Sequence, residues 1–205
     1  MRRLLGKLMC QTDYDGAIAY AIERLRLELP PGLLYHDLWH TQFDVLPAVA
    51  RIATINNLAH GEIRLLEVGA AFHDVGFVRS YVEHEAAGVQ IASAVLPDFG
   101  FNARQIGCIA GMIRATRLPQ SPQNLLEEIV VDADLDVLGR DDFFERSKLL
   151  HQELALAGQP ASWRQWQQQQ LRFLQQHTYF THAARALRNG GKQRHIETIE
   201  EWLLS

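Results

Sequence analysis

Apolar residues recur every three to four positions along most of the chain, which is the spacing of a helix with one buried face. The first such segment ends at the turn-forming residues 30–32 (PPG), and Ser80 with Glu83 forms a capping-box pattern that predicts another helix start. No stretch alternates apolar and polar residues long enough to predict a strand. The pattern predicts an all-α fold with helices over 13–29, 37–58 (bent at Pro47), 62–75, 80–96, 102–115, 124–138, 141–157, 160–187 and 195–204.

Composition and charge restrict the class of protein. The 205 residues are 47% apolar and 21% charged, which favours one globular domain over 1–205. A net charge of -4 gives no basic surface for duplex nucleic acid. The first ten residues are basic and then apolar, but Gly6 and Lys7 interrupt the apolar run and no cleavage site follows, and no membrane-spanning run is present. Cys10 and Cys108 form neither a metal-type pair nor a disulfide framework, so we expect a cytoplasmic protein.

The segment 163–177 is rich in glutamine and carries apolar residues such as Trp166 and Leu174 at helical spacing. One interpretation is an amphipathic helix that packs on the rest of the bundle. The other is a helix that mediates a homodimer. The sequence leaves both open.

Candidate metal ligands stand in two blocks. His36 and His40, in "YHDLWH", are four residues apart, so their rings lie about one turn from each other on one helix face. His73 and Asp74, in "AAFHDVGF", are adjacent at the end of an apolar helix. Imidazole nitrogens and carboxylate oxygens together suit a divalent ion, so a further ligand is expected later in the chain.

The block "VVDADLDVLG" offers that ligand. Asp134 shares its helix face with Val130 and Val137, where a bare carboxylate is unfavourable, so Asp134 needs a partner. A cation is one such partner and an arginine is the alternative. Asp132 shares its face with Asp136, which predicts a charged ridge facing solvent.

The three blocks together resemble the HD-domain superfamily of metal-dependent phosphohydrolases, in particular its small bacterial stand-alone members. Their pattern is a His, an adjacent His-Asp pair and a distant Asp, all on helices. The resemblance covers about residues 30–140 and implies an HD-domain helical bundle, with residues 141–205 as additional C-terminal helices. The metal ligands that the resemblance implies are His40, His73, Asp74 and Asp134.

The resemblance also implies an activity. The reaction is hydrolysis of a phosphate ester or anhydride, with a nucleotide favoured as the phosphorylated substrate. The cofactor is a divalent metal ion, either Mn, Fe, Co, Ni, Zn or Mg, bound singly or as a pair. We expect Asp74 to help deprotonate or orient the attacking water. For His36 the resemblance implies protonation of the leaving oxygen, and the alternative is that it only caps its helix.

His84 and Glu85 are further candidates. The positions three, four and seven residues after His84 are Ala87, Gly88 and Ile91, so its side chain is expected to face inward. A pocket role, direct metal ligation and a hydrogen-bonded core histidine all remain open for His84. Glu85 either orients a water or complements the helix dipole.

Three arginines, Arg79, Arg114 and Arg117, flank these blocks and are candidates for phosphate contact, although a solvated surface role is equally open to each. Two other functions also fit the resemblance. One is a non-catalytic protein that binds a nucleotide or a partner. The other is a di-iron oxygenase of the same fold, which needs extra histidines that this chain largely lacks.

Overall fold

The computed structural model describes residues 12–204, so the predictions made for the first ten residues, including Cys10, lie outside it. The described residues form α-helices and no strand, which confirms the predicted all-α fold. No helix within this range combines the length and hydrophobicity that crossing a bilayer requires. The helices are Tyr14–Glu28 (α1), Leu46–Ile55 (α2), His60–Phe72 (α3), His84–Val95 (α4), Ala103–Ala115 (α5), Leu125–Asp134 (α6), Phe143–Leu156 (α7), Trp163–Gln176 (α8) and His182–Leu204 (α9).

Helix α3 lies at the centre of the fold and packs against α1, α2, α5 and α6. Leu66 and the run 68–72 at its C-terminal end are all buried. A helix that is apolar on every side belongs in the interior of a protein. The chain that leaves α3 at His73 and Asp74 therefore emerges inside the fold rather than at its surface.

A close backbone contact determines which helix lies beside His73 and Asp74. After Asp74 the chain forms a 3-10 turn, Val75–Val78, which packs against α4. A Cβ atom at Gly76 would lie 1.7 Å from the carbonyl oxygen of His84, so no other residue fits there without moving the backbone. This contact sets the first turn of α4 next to Asp74.

The capping box predicted at Ser80 and Glu83 does not form. Helix α4 begins at His84, and Glu83 before it has left-handed backbone geometry with φ of 55°. The Ser80 hydroxyl instead donates to the carbonyl oxygen of Val82 at 2.7 Å. The start of α4 is determined by the close packing of the turn Val75–Val78 against it, and not by the local capping pattern.

The helix predicted over 37–58 is irregular at its start. Residues His40–Val45 form a π-helical segment, in which the Leu46 N–H reaches the carbonyl oxygen of Thr41, five residues back. The segment runs directly into α2, where Pro47 lacks the N–H that a regular turn would use. The predicted irregularity at Pro47 is therefore a widened turn that begins at His40.

In the C-terminal half of the chain, the helix boundaries differ from those predicted. The helix expected over 160–187 ends at Gln176, and a second helix begins at His182 and continues to Leu204. Helix α9 packs on α8 and on a 3-10 turn, Asp136–Gly139. A Cβ atom at Gly191 would lie 2.0 Å from the Gly139 carbonyl oxygen, so this docking requires glycine.

Helix α8 packs on the bundle. This is the first of the two interpretations of the glutamine-rich segment, an amphipathic helix with one buried face. Trp166 and Leu174 are buried, and the indole N–H of Trp166 donates to the Ser147 hydroxyl at 3.1 Å. Trp163 remains 47% exposed. The homodimer stays a prediction.

The solvent-facing ridge predicted at Asp132 and Asp136 is wrong, because both residues are buried against α9. The Asp132 carboxylate accepts hydrogen bonds from the backbone N–H groups of Phe180 and Thr181, at 2.8 and 2.7 Å, just before α9 begins. Asp136 pairs with two arginine side chains at 2.7 to 2.8 Å. These partners come from α2 (Arg51), from the residues just before α9 (Phe180 and Thr181) and from α9 itself (Arg188). All of them are distant in sequence, so the ridge faces the protein and not water.

We expect Asp132→Ala to lower the free energy of unfolding by about 2–6 kcal/mol, because two backbone N–H groups lose their acceptor at about 1–3 kcal/mol each. Urea unfolding followed by circular dichroism measures the change. Asp141→Ala is the control, since Asp141 is fully exposed and its nearest arginine lies at 3.8 Å. An unchanged midpoint for Asp132→Ala would contradict a structural role for this carboxylate.

Candidate metal centre

Four side chains from three segments meet at one point inside the fold. His40 begins the π-helical segment, His73 and Asp74 follow α3, and Asp134 is the last residue of α6. His40, His73 and Asp74 are buried, and the side chain of Asp134 is 18% exposed. The structure therefore brings together the four residues that the sequence resemblance assigned to the metal.

The distances within this cluster are those of side chains that face a common point. His40 Nε2 lies 3.1 Å from Asp134 Oδ1, and His73 Nε2 lies 3.6 Å from the same oxygen and 3.2 Å from Asp74 Oδ2. Candidate ligand atoms of His40, His73 and Asp74 all lie within 4.8 Å of one another. Ligands at about 2.0–2.2 Å from one ion lie roughly 3–4 Å apart, so the cluster has the dimensions of a metal site.

Two unpartnered atoms test whether a cation fits. His73 Nδ1 lies 2.6 Å from the carbonyl oxygen of Ala70, to which it donates, so in a neutral ring Nε2 carries the lone pair. His73 Nε2 and Asp74 Oδ2 are both buried without a hydrogen-bond partner. A lone pair held against a carboxylate is repulsive unless a cation or a proton lies between them. The donor set and these two orphaned atoms fit a divalent cation.

Without a metal, protons balance the cluster. Burial lowers the pKa of His73, but Asp74 and Asp134 outweigh burial and raise this pKa well above its usual value. Burial likewise opposes the raised pKa of His40, which hydrogen bonding to Asp134 and interaction with Asp44 maintain. Burial alone would raise the pKa of Asp74, but the charge of His73 dominates and lowers it.

We expect uptake of a divalent ion at pH 7 to release about one to two protons, because His40 and His73 must lose theirs to act as ligands. Since their pKa values are raised, the protonated rings persist to higher pH, and affinity should fall as pH falls. Calorimetric titration of chelator-treated protein with Mn²⁺ in two buffers of different ionisation enthalpy counts the protons. His60→Ala, which removes an exposed histidine, should release the same number of protons. Heats that do not depend on the buffer would contradict the prediction.

Asp44 supports the cluster, and the sequence analysis did not identify it. Its Oδ2 lies 3.7 Å from His40 Nδ1, and the carboxylate is held by Arg140 at 2.7 Å and Arg146 at 3.3 Å. The Asp37 carboxylate accepts the backbone N–H of His40 at 2.9 Å. A carboxylate behind a ligating histidine fixes the ring orientation. The signal in the sequence was the four-residue spacing from His40 to Asp44.

Glu153 of α7 holds His36, and it too was missed. Its Oε1 lies 2.5 Å from His36 Nδ1, and its Oε2 accepts the backbone N–H groups of Tyr35 and His36 at 2.8 and 3.0 Å. The Tyr81 hydroxyl donates to the same carboxylate at 3.3 Å. Burial would raise the pKa of Glu153, but its bond to His36 outweighs burial and lowers it. Its position on the buried side of α7 was the only signal in the sequence.

His84 and Glu85 lie at the edge of the cluster. His84 Nε2 is 3.6 Å from Asp74 Oδ1 and 3.7 Å from Glu85 Oε1. The imidazole stacks on the Phe77 ring, with centroids 3.8 Å apart and planes 14° apart. Among the three roles left open by the sequence, this position beside Asp74 is compatible with a pocket role.

A cavity of about 600 Å³ opens beside the cluster, within the usual size range of small-molecule sites. Asp74 and Asp134 line its inner end together with His36, and His84 with Glu85 lines its side. Small-molecule chemistry at the cluster would take place in this cavity.

The three arginines predicted as candidates for phosphate contact differ in their position relative to this cavity. Arg117 lines it, whereas Arg79 and Arg114 are exposed and are not among the described residues that line it. The side chain of Arg117 is 64% exposed and lies 3.5 Å from Glu83.

Comparison with known proteins identifies the fold. The structure is similar to that of a protein from an uncultured Thermotogales bacterium described as a "predicted HD superfamily hydrolase", with a TM-score of 0.60 and 22% sequence identity. The likeness covers 93% of this chain and 91% of the other, so it extends into the C-terminal helices, where the sequence offered no motif. No protein-family model matches the sequence, and no curated protein matches it significantly. The chain has the fold of the HD superfamily, with the His, His-Asp and Asp side chains of its three motif blocks gathered at one buried point.

Proposed function

We propose that this protein is a metal-dependent hydrolase of phosphate esters or anhydrides. The observation that carries the proposal is the pair of buried, unpartnered atoms His73 Nε2 and Asp74 Oδ2, of which Asp74 lines a cavity of substrate size. The HD-superfamily fold supports the assignment by analogy. Phosphoryl groups are anionic and pair well with a divalent ion, and a nucleotide, which the resemblance favours, is one class of compound that carries them.

The ion would be held by His40, His73, Asp74 and Asp134. Two neutral imidazoles and two carboxylates balance the charge of a dication, and this mixed set suits Mn, Fe, Co, Ni or Zn better than it suits Mg. When bound, such an ion supplies a Lewis acid for a phosphoryl oxygen and lowers the pKa of water at the site.

The protein side chains divide the proton transfers between them. Asp74 Oδ1 lies 3.6 Å from His84 Nε2, so a water beside them that contacts both groups can pass its proton to the carboxylate while its oxygen bonds to phosphorus. The bond from phosphorus to the leaving oxygen breaks, and His36 donates the proton that this oxygen needs. Glu153 keeps a proton on His36 Nδ1, which leaves Nε2 as the nitrogen that exchanges. Glu85 Oε1 lies 3.7 Å from the same His84 nitrogen and so can contact the same water.

The test is phosphate release from a panel of phosphate monoesters, diesters and nucleotides by chelator-treated protein to which Mn²⁺, Co²⁺ or Ni²⁺ is added. We expect metal-dependent turnover that Asp74→Asn abolishes and that Asp98→Asn, at an exposed position, retains. Metal uptake without turnover of any substrate would favour the non-catalytic binding protein instead. Failure to take up metal would contradict the site itself.

A further inference from the structure

The walls of the cavity carry few charges that an anionic substrate could use. Among the described residues that line it, Arg117 is the only arginine or lysine, and it stands at the mouth. Four carboxylates line the same cavity, namely those of Asp74, Glu83, Glu85 and Asp134. A bound dication would offset Asp74 and Asp134, but it would leave the other two. A phosphoryl group can therefore be bound by direct contact with the ion, but the cavity has no surplus of cationic side chains to hold a chain of phosphates.

The rest of the lining is mostly apolar. Helices α7 and α8, from the C-terminal part of the chain, contribute Leu150, Leu154, Trp166 and Phe173. The indole N–H of Trp166 is already bonded to Ser147, so Trp166 offers the cavity only its apolar surface. Polar side chains such as Thr116, Gln169 and Gln170 also line the cavity and can bond a few hydroxyl groups. The leucine and aromatic side chains of α7 and α8 offer the body of a substrate an apolar wall, against which further hydroxyl groups would lack partners.

The mouth of the cavity carries exposed apolar residues as well. Val82 is 74% exposed and Leu118 is 57% exposed, and both line the cavity. Large apolar side chains at the rim of a pocket are typical of a surface that a ligand covers. The apolar character thus extends from the interior of the cavity to its entrance.

We propose that the substrate is a phosphate monoester of an apolar alcohol, with the phosphoryl group at the metal cluster and the hydrocarbon body against α7 and α8. This inference rests on the proposed phosphohydrolase function and narrows its substrate class. Water attacks phosphorus, the bond to the alcohol oxygen breaks, and the products are inorganic phosphate and the free alcohol. An alkoxide is a poor leaving group, so such a substrate needs the proton that His36 supplies.

Alkyl phosphates of increasing length test the proposal, because methyl, butyl, hexyl and octyl phosphate differ in little besides the hydrocarbon body. With metal-loaded protein, kcat/KM should rise by about threefold for each methylene buried, and octyl phosphate should exceed nucleoside monophosphates by at least roughly tenfold. Equal rates along the series, or faster hydrolysis of the nucleotides, would overturn the apolar substrate and leave the phosphohydrolase intact. Absence of turnover with every ester would instead contradict the phosphohydrolase.

If no ester is hydrolysed, measurements of ligand binding still test the proposed substrate class. Affinity for alkyl phosphonates, which cannot be hydrolysed at the carbon–phosphorus bond, should increase with chain length in calorimetric titrations. Affinity that does not change with length would overturn the proposal whether or not the protein is an enzyme.

A matched pair of variants on α7 tests whether the hydrocarbon body of the substrate lies against this helix. Leu154→Asn places an amide in the cavity wall and should reduce the octyl-to-methyl ratio of kcat/KM about tenfold or more. Leu156→Asn, at a position 68% exposed on the same helix, should keep the ratio. The ratio separates a loss of hydrocarbon binding from a disturbance of the neighbouring Glu153, because the latter would slow both esters alike. If Leu154→Asn does not fold, Phe173→Gln makes the same test from α8, and an unchanged ratio in a folded variant contradicts the proposal.

Discussion

Asp134→Asn should leave the purified protein with little bound metal and lower kcat/KM by more than about 100-fold. Changes behind a ligand commonly cost about 10–100-fold in metal affinity or activity, and loss of a ligand should cost more. The substitution keeps the size of the side chain and removes the negative charge whose Oδ1 faces both His40 and His73. Elemental analysis of protein purified without chelator measures the metal, and phosphate release measures the activity.

Asp141→Asn is the matched control, because Asp141 lies outside the cluster and is fully exposed. It should retain metal and activity within about twofold. An Asp134→Asn protein that keeps stoichiometric metal would show that Asp134 is not a ligand and that His40 pairs with it for structural reasons.

His36→Ala should have a different effect, since His36 is proposed to act on the leaving group and not on the metal. We expect the variant to keep its metal and to lose about 10²- to 10⁴-fold in kcat on alkyl phosphates, which is the usual contribution of general acid catalysis. The loss should be smallest for nitrophenyl phosphate, whose leaving group needs little protonation. Comparing kcat for the two esters, together with the metal content, measures this difference.

Glu153→Gln extends the same test to the residue that positions His36. A glutamine can still accept the backbone N–H groups of Tyr35 and His36, but it lacks the charge that favours a proton on His36 Nδ1. Its kcat should fall with the same dependence on the leaving group while metal stays bound, and His182→Ala, at an exposed histidine, should behave as wild type. His36→Ala protein that arrives without metal would make His36 a ligand, and full activity on alkyl phosphates would reduce it to a helix-capping residue.

The sequence predicted what short-range patterns determine. The all-α class follows from apolar spacing alone. The apolar neighbours of Asp134 singled it out as the candidate ligand of its block, and its carboxylate does face His40 and His73, but the same argument wrongly placed Asp132 and Asp136 in solvent. His73 and Asp74 were identified because an apolar helix that runs into two polar ligand types is unusual. The order of the motif blocks then distinguished His40 from His36, which their spacing could not do.

What the sequence did not predict depends on contacts between distant segments. Asp132 was placed in solvent because its partners, the N–H groups before α9, lie nearly fifty residues further on. Glu153 lies 117 residues from His36 and belongs to no motif. The start of α4 was misplaced because the close approach at Gly76 outweighed a local capping pattern. In each case a tertiary contact decided the structure, and helical periodicity carries no information about it.

Helix α7 combines two tasks in consecutive residues, since Glu153 holds His36 and Leu154 lines the cavity. A tilt or shift of this helix that admitted a bulkier substrate would also move the carboxylate that positions His36, the proposed proton donor. Under the proposed function, substrate range and turnover would be linked through α7 and would trade off against each other in any lineage or mutant library that alters it. Helix α8 contributes Trp166 and Phe173 to the same cavity from a separate element, so it is the part of the molecule where substrate preference can diverge while the chemistry stays constant.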